Sequence, residues 1–309
     1  MAHAHHDHHG HHHHHHHHAS DNIRLAFFLN LSFTIVEIIG GFWINSMAIL
    51  SDALHDLGDS LALGLAWYFE RLSGRGGDQA FSYGYKRFSL LGAFINSVIL
   101  LVGSVLVLSA AIPRILNPEP VNAPGMIGFA LLGVLVNGLA VLRLKKGNTL
   151  NERVAMLHLL EDVLGWIAVL VGGVVLYFFD VPVIDPLLSV AITAYVLYNV
   201  VGNLRQSLNI LLQGTPAQID LTRLQQRLEQ LPDIRSVHDL HLWSLDGTHH
   251  VLTLHAVVEG NLQLQQAEEV KQRIRAAMAN MDIHHVTVEL ELPGEVCSQQ
   301  SCTPDFSSG

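Results

Sequence analysis

The stretch Ser51-Asp-Ala-Leu-His-Asp-Leu-Gly-Asp59 lies inside a hydrophobic segment that runs from Met47 to Phe69. His55 and Asp59 are four residues apart, so on a helix they stack on one face, one turn from each other. Ionisable groups inside a membrane span are costly and mark ion pathways or proton relays. A second segment repeats the spacing: Ala155-Met-Leu-His158-Leu-Leu-Glu-Asp162-Val-Leu-Gly165. Two such helices facing each other bring two imidazoles and two carboxylates into one pocket, the tetrahedral donor set that zinc prefers. The pattern points to an α-helical membrane protein that handles a divalent metal.

Composition agrees. Of 309 residues, 14% are charged, against about 25% in soluble domains, and the mean hydropathy is +0.32. A formal net charge of -10 offers no basic surface, so no nucleic-acid partner is expected. The only two cysteines, Cys297 and Cys302, sit near the C-terminus. They supply no disulfide framework, which suits a soluble part in a reducing compartment. Thirteen of the 22 histidines fall within residues 1–18. That tract lacks the apolar core of a signal peptide; a loose metal-gathering tail and an expression tag both fit it.

Six apolar segments follow, at roughly 24–44, 47–70, 88–112, 123–143, 152–178 and 186–211, each near the ~20 residues that span a bilayer. Between them stand Asn45-Ser46, Gly74-Arg-Gly-Gly-Asp78, Asn117-Pro-Glu-Pro120, Lys145-Lys-Gly-Asn148 and Asp180-Val-Pro182. Arg71, Arg75, Lys86 and Arg87 load the second loop, and Arg143, Lys145, Lys146 and Arg153 the fourth; the odd loops carry only Arg114. Lys and Arg collect on the cytoplasmic side, so both termini are expected in the cytoplasm, with the protein in the cell inner (plasma) membrane.

After Gln213-Gly214 the pattern becomes that of a soluble domain. Thr215-Pro216 reads as an N-cap followed by proline at the first helical position, with Leu221, Leu224, Leu228 and Leu231 on one helical face. Ser236–Leu245 and Thr248–Val258 read as strands joined at Asp246-Gly247, a hairpin signal. Val270, Ile274, Ala277, Met278 and Met281 mark a second helix. In the last strand Val286, Val288, Leu290 and Leu292 face one way, and Thr287, Glu289 and Glu291 the other. The predicted organisation is a tail over 1–20, six spans over 21–213, a small α+β domain of αββαβ order over 214–293, and a C-terminal tail over 294–309. A domain of some 80 residues has a thin core, and dimerisation would support it.

The paired H-x-x-x-D motifs resemble those of the cation diffusion facilitator family of zinc transporters. So do Ser46-Met-Ala-Ile-Leu-Ser-Asp52, Phe81-Ser-Tyr-Gly-Tyr85 with Ala93-Phe-Ile-Asn96, and Val237-His-Asp-Leu-His-Leu-Trp-Ser244. The similarity covers residues 22–293. It implies a homodimer of six-span protomers, each with a ferredoxin-like cytoplasmic domain, that exports metal in exchange for protons. It implies that His55, Asp59, His158 and Asp162 form the transport site, and that a histidine at the first position favours zinc over cadmium. It makes His238, His255 and Glu289 a cytoplasmic zinc site that would regulate transport. By residue type alone, His241, His249, His250, His284 and His285 are weaker candidates, and Cys297 and Cys302 fit either added ligands or idle thiols. Some relatives carry histidines in the second loop, where this chain has only Asp78, and many carry glutamate at the position of Ser89. The short loop between the fourth and fifth spans favours a prokaryotic chain.

The chemistry of the four residues supports the same reading. Two aspartates and two neutral imidazoles carry minus two, which a dication cancels, so the loaded site escapes a large desolvation cost. Calcium and magnesium want six or more oxygens. Two buried carboxylates without a counter-ion need protons, histidine titrates near neutrality, and metal binding displaces those protons; that competition makes antiport. Zn2+ is the expected substrate, with Cd2+, Co2+, Ni2+ and Fe2+ open as others. Asp52 lies on the ligand side one turn before His55, whereas Asp56 and Glu161 are displaced from it. Glu37 fits either the lining of an entrance or a pairing with a polar neighbour, and Asn96 and Asn137 fit interhelical hydrogen bonds. A membrane scaffold or sensor that holds zinc without passing it is the competing class. An intramembrane protease is disfavoured, since neither pair has the adjacent glutamate of H-E-x-x-H and no ligand position stays open for water.

Overall fold

The structure, a computed structural model, describes residues 16–144, 150–260, 262–279, 281 and 283–295. Cys297, Cys302 and the side chains of the histidine tract lie outside the described residues, as does the side chain of His158. The described chain forms two compact units, one of residues up to Phe69 with Ile95–Gly202, the other of Glu70–Phe94 with those from Asn203 on.

Six long helices come first: α1 (His16–Ile44), α2 (Met47–Ser73), α3 (Arg87–Leu116), α4 (Ala123–Leu144), α5 (Leu150–Phe179) and α6 (Ile184–Leu211). Among the described residues, four stretches are long and apolar enough to cross a membrane by themselves: Arg87–Leu116, Ala123–Leu142, Leu159–Phe179 and Ile184–Leu211. α1 offers a shorter apolar stretch, Asn30–Ile44. α2 has the length, at 27 residues, but carries Asp52, His55, Asp56 and Asp59 through its first half. Its polar face is tolerable because neighbouring helices cover it: Asp52 and Asp56 are both 5% exposed.

The first unit is held by an apolar cluster of Ile44, Ala48, Ile49, Met126, Ala130, Trp166 and Val169, and by close backbone approaches. A Cβ on Gly133 of α4 would lie 2.1 Å from the Trp166 ring of α5, so only glycine lets that fully buried indole seat. Phe33 of α1 meets Trp166 edge-on at 6.2 Å.

A polar seam joins α2 to α6. Asp185, Ser189 and Thr193 recur every fourth residue, on one face of α6. The Asp185 carboxylate accepts from the Ser46 hydroxyl at 2.5 Å and from the Met47 and Ala48 amides at 2.7 and 3.2 Å. It thus satisfies the orphan donors at the start of α2 and opposes its positive dipole end. Ser51 meets Ser189 and Thr193 at 2.5 and 3.3 Å. Asn137, expected to bond across helices, instead donates to the Gly133 carbonyl of its own helix at 3.2 Å, because a side-chain amide four residues on reaches that carbonyl first.

The second unit contains α7 (Leu221–Glu229), β1 (Ile234–Ser244), β2 (His250–Val258), α8 (Leu264–Ala279) and β3 (Ile283–Glu291). The sheet order is β1-β2-β3, with β1 antiparallel and β3 parallel to β2. Leu224 and Leu228 of α7, and Val270, Ile274 and Met278 of α8, share one core with Leu252, Leu254 and Ala256 of β2. Both helices therefore cover one sheet face, and the alternate residues, His255 among them, lie on the other. α7 starts later than Thr215-Pro216 suggests: Asp220 is its cap, accepting from Thr222 and Arg223. Pro216 opens a turn closed by the Ile219 amide at 3.0 Å, since an aspartate with two amides in reach outcompetes a threonine before proline. The hairpin turn is wider than a two-residue link, with Leu245 bonded to the His249 carbonyl at 2.8 Å, Gly247 at φ 98 and β2 beginning at His250. Burial raises the Asp246 carboxyl, but bonds from the His249 and Thr248 amides and side chains outweigh it, leaving the group below its ordinary pKa.

Candidate metal centres

Helical spacing places His55 and Asp59 on one face of α2, and packing brings Asp162 of α5 to them. His55 Nε2 lies 3.8 Å from Asp59 Oδ2 and 3.7 Å from Asp162 Oδ1. One ligand atom from each of the three lies within 4.8 Å of the others, a spread that an ion at ~2.0–2.2 Å from each could draw in. Their side chains keep 20%, 28% and 10% exposure, so the cluster is shielded yet reachable. His158 is four residues before Asp162 on α5, which puts its Cα on the same helical face.

Around this cluster the carboxylates sort by depth. Gly165 of α5 lies close to Asp52: a Cβ there would be 3.5 Å from Asp52 Oδ1. Glu37 of α1 is fully buried and lies against Asp56. Its place is therefore inside the helix packing rather than along an entrance. Asn30 ties α1 to the same turn, donating to the Asp56 carbonyl at 3.1 Å and the Ser60 hydroxyl at 3.0 Å. Glu161 turns away and receives the Tyr195 hydroxyl of α6. Asp185 escaped the sequence reading; the signal available was its four-residue repeat with Ser189 and Thr193.

The second cluster is a rung of the sheet. His238 pairs with His255 across β1 and β2, and His255 with Glu289 across β2 and β3. The two rings are edge to face at 5.3 Å. His255 Nε2 is 3.3 Å from Glu289 Oε2, but its Nδ1 is 2.7 Å from Glu291 Oε1, and His238 Nε2 is 3.1 Å from Glu291 Oε2. Glu291, on the same face of β3 by alternation, is 7% exposed where Glu289 is 63%. It sits at the strand end with both imidazoles folded over it, and it is Glu291 that joins His238 and His255 within 4.8 Å. The same period of two that placed Glu289 beside the histidines places Glu291 there too. Asp239, held at φ 48 in a bulge of β1, adds a buried oxygen 3.5 Å from His255 Nε2.

Asp78, the lone acidic residue of the second loop, is occupied by its own turn. It accepts from the Ala80 and Phe81 amides at 2.8 Å each and from the Tyr85 hydroxyl at 2.7 Å. The Tyr85 bond, then the Phe81 amide, hold its carboxyl below its usual range, and the same bond raises the Tyr85 phenol.

Comparison with known proteins follows this division. Residues 23–212 match the cation efflux transmembrane domain, and residues 216–292 match the cation efflux protein cytoplasmic domain. A cadmium, cobalt and zinc/H(+)-K(+) antiporter of Bacillus subtilis is 34% identical over 273 residues, 87% of this chain and 88% of its own. The metal cation efflux system protein CzcD of Cupriavidus metallidurans is 31% identical over 291 residues, covering 93% and 90%. The zinc transporter ZitB of Escherichia coli is 32% identical over 274 residues, covering 86% and 85%. With both matched regions in order along one chain, a helical bundle followed by an α+β domain, this multi-pass membrane protein belongs to the cation efflux, or cation diffusion facilitator, family.

Proposed function

We propose that the protein exports Zn2+ from the cytoplasm in exchange for protons, through a site made by His55 and Asp59 of α2 with His158 and Asp162 of α5. The observation that carries it is the convergence of His55, Asp59 and Asp162 from two helices within 4.8 Å. Relatives named as zinc transporters and as a zinc/H(+)-K(+) antiporter support the substrate and the exchange. Nitrogen and carboxylate donors in a small set suit zinc, and also Cd2+ and Co2+, better than calcium or magnesium. Metal binding requires the carboxylates ionised and the imidazoles neutral. Cytoplasmic zinc therefore drives protons off, and protons arriving from outside drive zinc off. We place both termini in the cytoplasm, from the charge of the second and fourth loops, in the inner membrane, and the protein as a homodimer.

His238, His255 and Glu291, with Glu289 and Asp239 beside them, are the second part of the proposal: a cytoplasmic zinc centre that regulates transport. Buried carboxylates against two imidazoles fit a zinc ion better than an empty pocket, because the metal replaces costly unbalanced charge. Zinc would regulate by binding one arrangement of the dimer more tightly than the other.

The test is zinc uptake into proteoliposomes with an imposed pH gradient. Wild type should move many ions per protein, with proton flux in the opposite direction. A scaffold or sensor would saturate at a few ions, and uptake indifferent to the gradient would overturn the exchange.

A further inference from the structure

Two imidazoles meet at the start of β2 and β3, in a place that neither centre uses. His249 directly precedes β2 and His284 is the second residue of β3; their ring centroids lie 4.7 Å apart with planes at 43°. His284 is exposed and the His249 side chain is 34% exposed.

Asp246 stands behind His249 and is itself fixed. Its Oδ1 accepts from the Thr248 amide at 2.9 Å, the Thr248 hydroxyl at 2.9 Å and the His249 amide at 2.8 Å. Its Oδ2 is 2.7 Å from His249 Nδ1. The Thr248 hydroxyl, 3.1 Å from Nδ1, gives its proton to Asp246 and so does not compete for that nitrogen's lone pair. A carboxylate at Nδ1 draws the ring proton there and leaves Nε2 as a lone pair. Metal-ligating histidines are oriented and made more basic by this pairing. His285 takes no part, since its ring stands perpendicular to Tyr83 at 5.5 Å.

We propose that His249, oriented by Asp246, and His284 beside it form a second metal site on the α+β domain, for a borderline divalent transition-metal ion such as Zn2+, Ni2+ or Cu2+. Imidazole nitrogens suit these ions, whereas calcium and magnesium call for oxygen. Water completes the coordination, so the ion exchanges readily, unlike one in a closed four-ligand structural site. The site lies six residues along β2 from His255, roughly 20 Å at ~3.3 Å per residue, and is distinct from the His238–His255–Glu291 centre. It does not rest on the transport reading, since an ion can bind here whether or not the α2–α5 site passes metal.

The experiment is histidine carbethoxylation of the full chain in detergent, mapped peptide by peptide along a Zn2+ titration. His249 and His284 should lose reactivity together, with one midpoint. His249→Ala should return His284 to its zinc-free rate, and His284→Ala should do the same for His249, while His238 stays protected in both. Asp246→Asn keeps an oxygen for the turn amides but turns an N–H toward Nδ1, reversing the tautomer. It should raise the midpoint by about 10–100-fold and leave protection at His238 unchanged. His284 reacting equally with and without saturating zinc, or remaining protected in His249→Ala, would overturn the site. Should a histidine variant also expose His238, the Asp246→Asn midpoint decides, and an unshifted midpoint rejects the proposal. Asp162→Ala should abolish transport yet keep the His249–His284 footprint, which separates the two proposals.

Discussion

Asp162 approaches His55 from another helix, and no rotamer of α2 alone replaces it. Asp162→Ala should therefore reduce proteoliposome zinc uptake by more than the ~10–100-fold that loss of an outer-shell partner costs a metal site. Glu161→Ala should leave uptake nearly intact, because that side chain faces Tyr195. Asp78 gives a pH prediction of defined sign. Its folded pKa is lowered, so its support of the turn is complete above the ordinary carboxylate value of about 3.9 and fades as pH falls through the lower folded value. Tyr85, raised by the same bond, should ionise above the ordinary tyrosine range in a 13C-tyrosine NMR titration. Asp78→Ala should bring it back to that range.

Helix α2 is held at its N-terminus by Asp185 and one turn further on by the Ser51–Ser189–Thr193 seam. Asp185→Ala strands the Ser46 hydroxyl and the Met47 and Ala48 amides. The expected loss is at least the ~0.5–2 kcal/mol of a helix cap, read as a lower thermal midpoint in detergent together with weaker zinc binding, since the start of α2 sets the position of His55. Gly133→Ala tests the facing pair α4 and α5. Its methyl would overlap the Trp166 ring, one turn beyond Asp162, and overpacking of this kind costs about 1–3 kcal/mol. Gly128→Ala on the same helix meets open space and serves as the control.

The two candidate metal centres lie in different units of the molecule, which makes the proposed transport and regulation separable by mutation. Replacing His238 and His255 with alanine should weaken the dependence of uptake on cytoplasmic zinc while some transport persists. Complete loss of uptake in a folded variant would instead make that centre part of the conduction path. Stripping zinc with a chelator should lower the thermal midpoint of the wild type, because a ligand bound only to the folded state stabilises it. The double alanine variant should show a smaller shift.

Much of this was legible from local spacing. Helical and strand periods follow from backbone geometry, so they placed His55 over Asp59, set Glu289 on the polar face of β3 and marked the core leucines of α7 without any knowledge of neighbours. The boundary of α7 was misplaced because two capping candidates lie five residues apart, and only the amides in reach choose between them. Glu291 stayed out of the sheet site because alternation tells a face from its opposite but does not rank two carboxylates on the same face. Asp185 went unread because its partners are more than 130 residues away in sequence. The chain's own order thus determined the helices, the strands and the two donor pairs. Tertiary packing decided which carboxylates are buried, which helix carries the start of α2, and which glutamate lies against the two sheet histidines, since burial and long-range hydrogen bonds belong to pairs of elements and not to either alone.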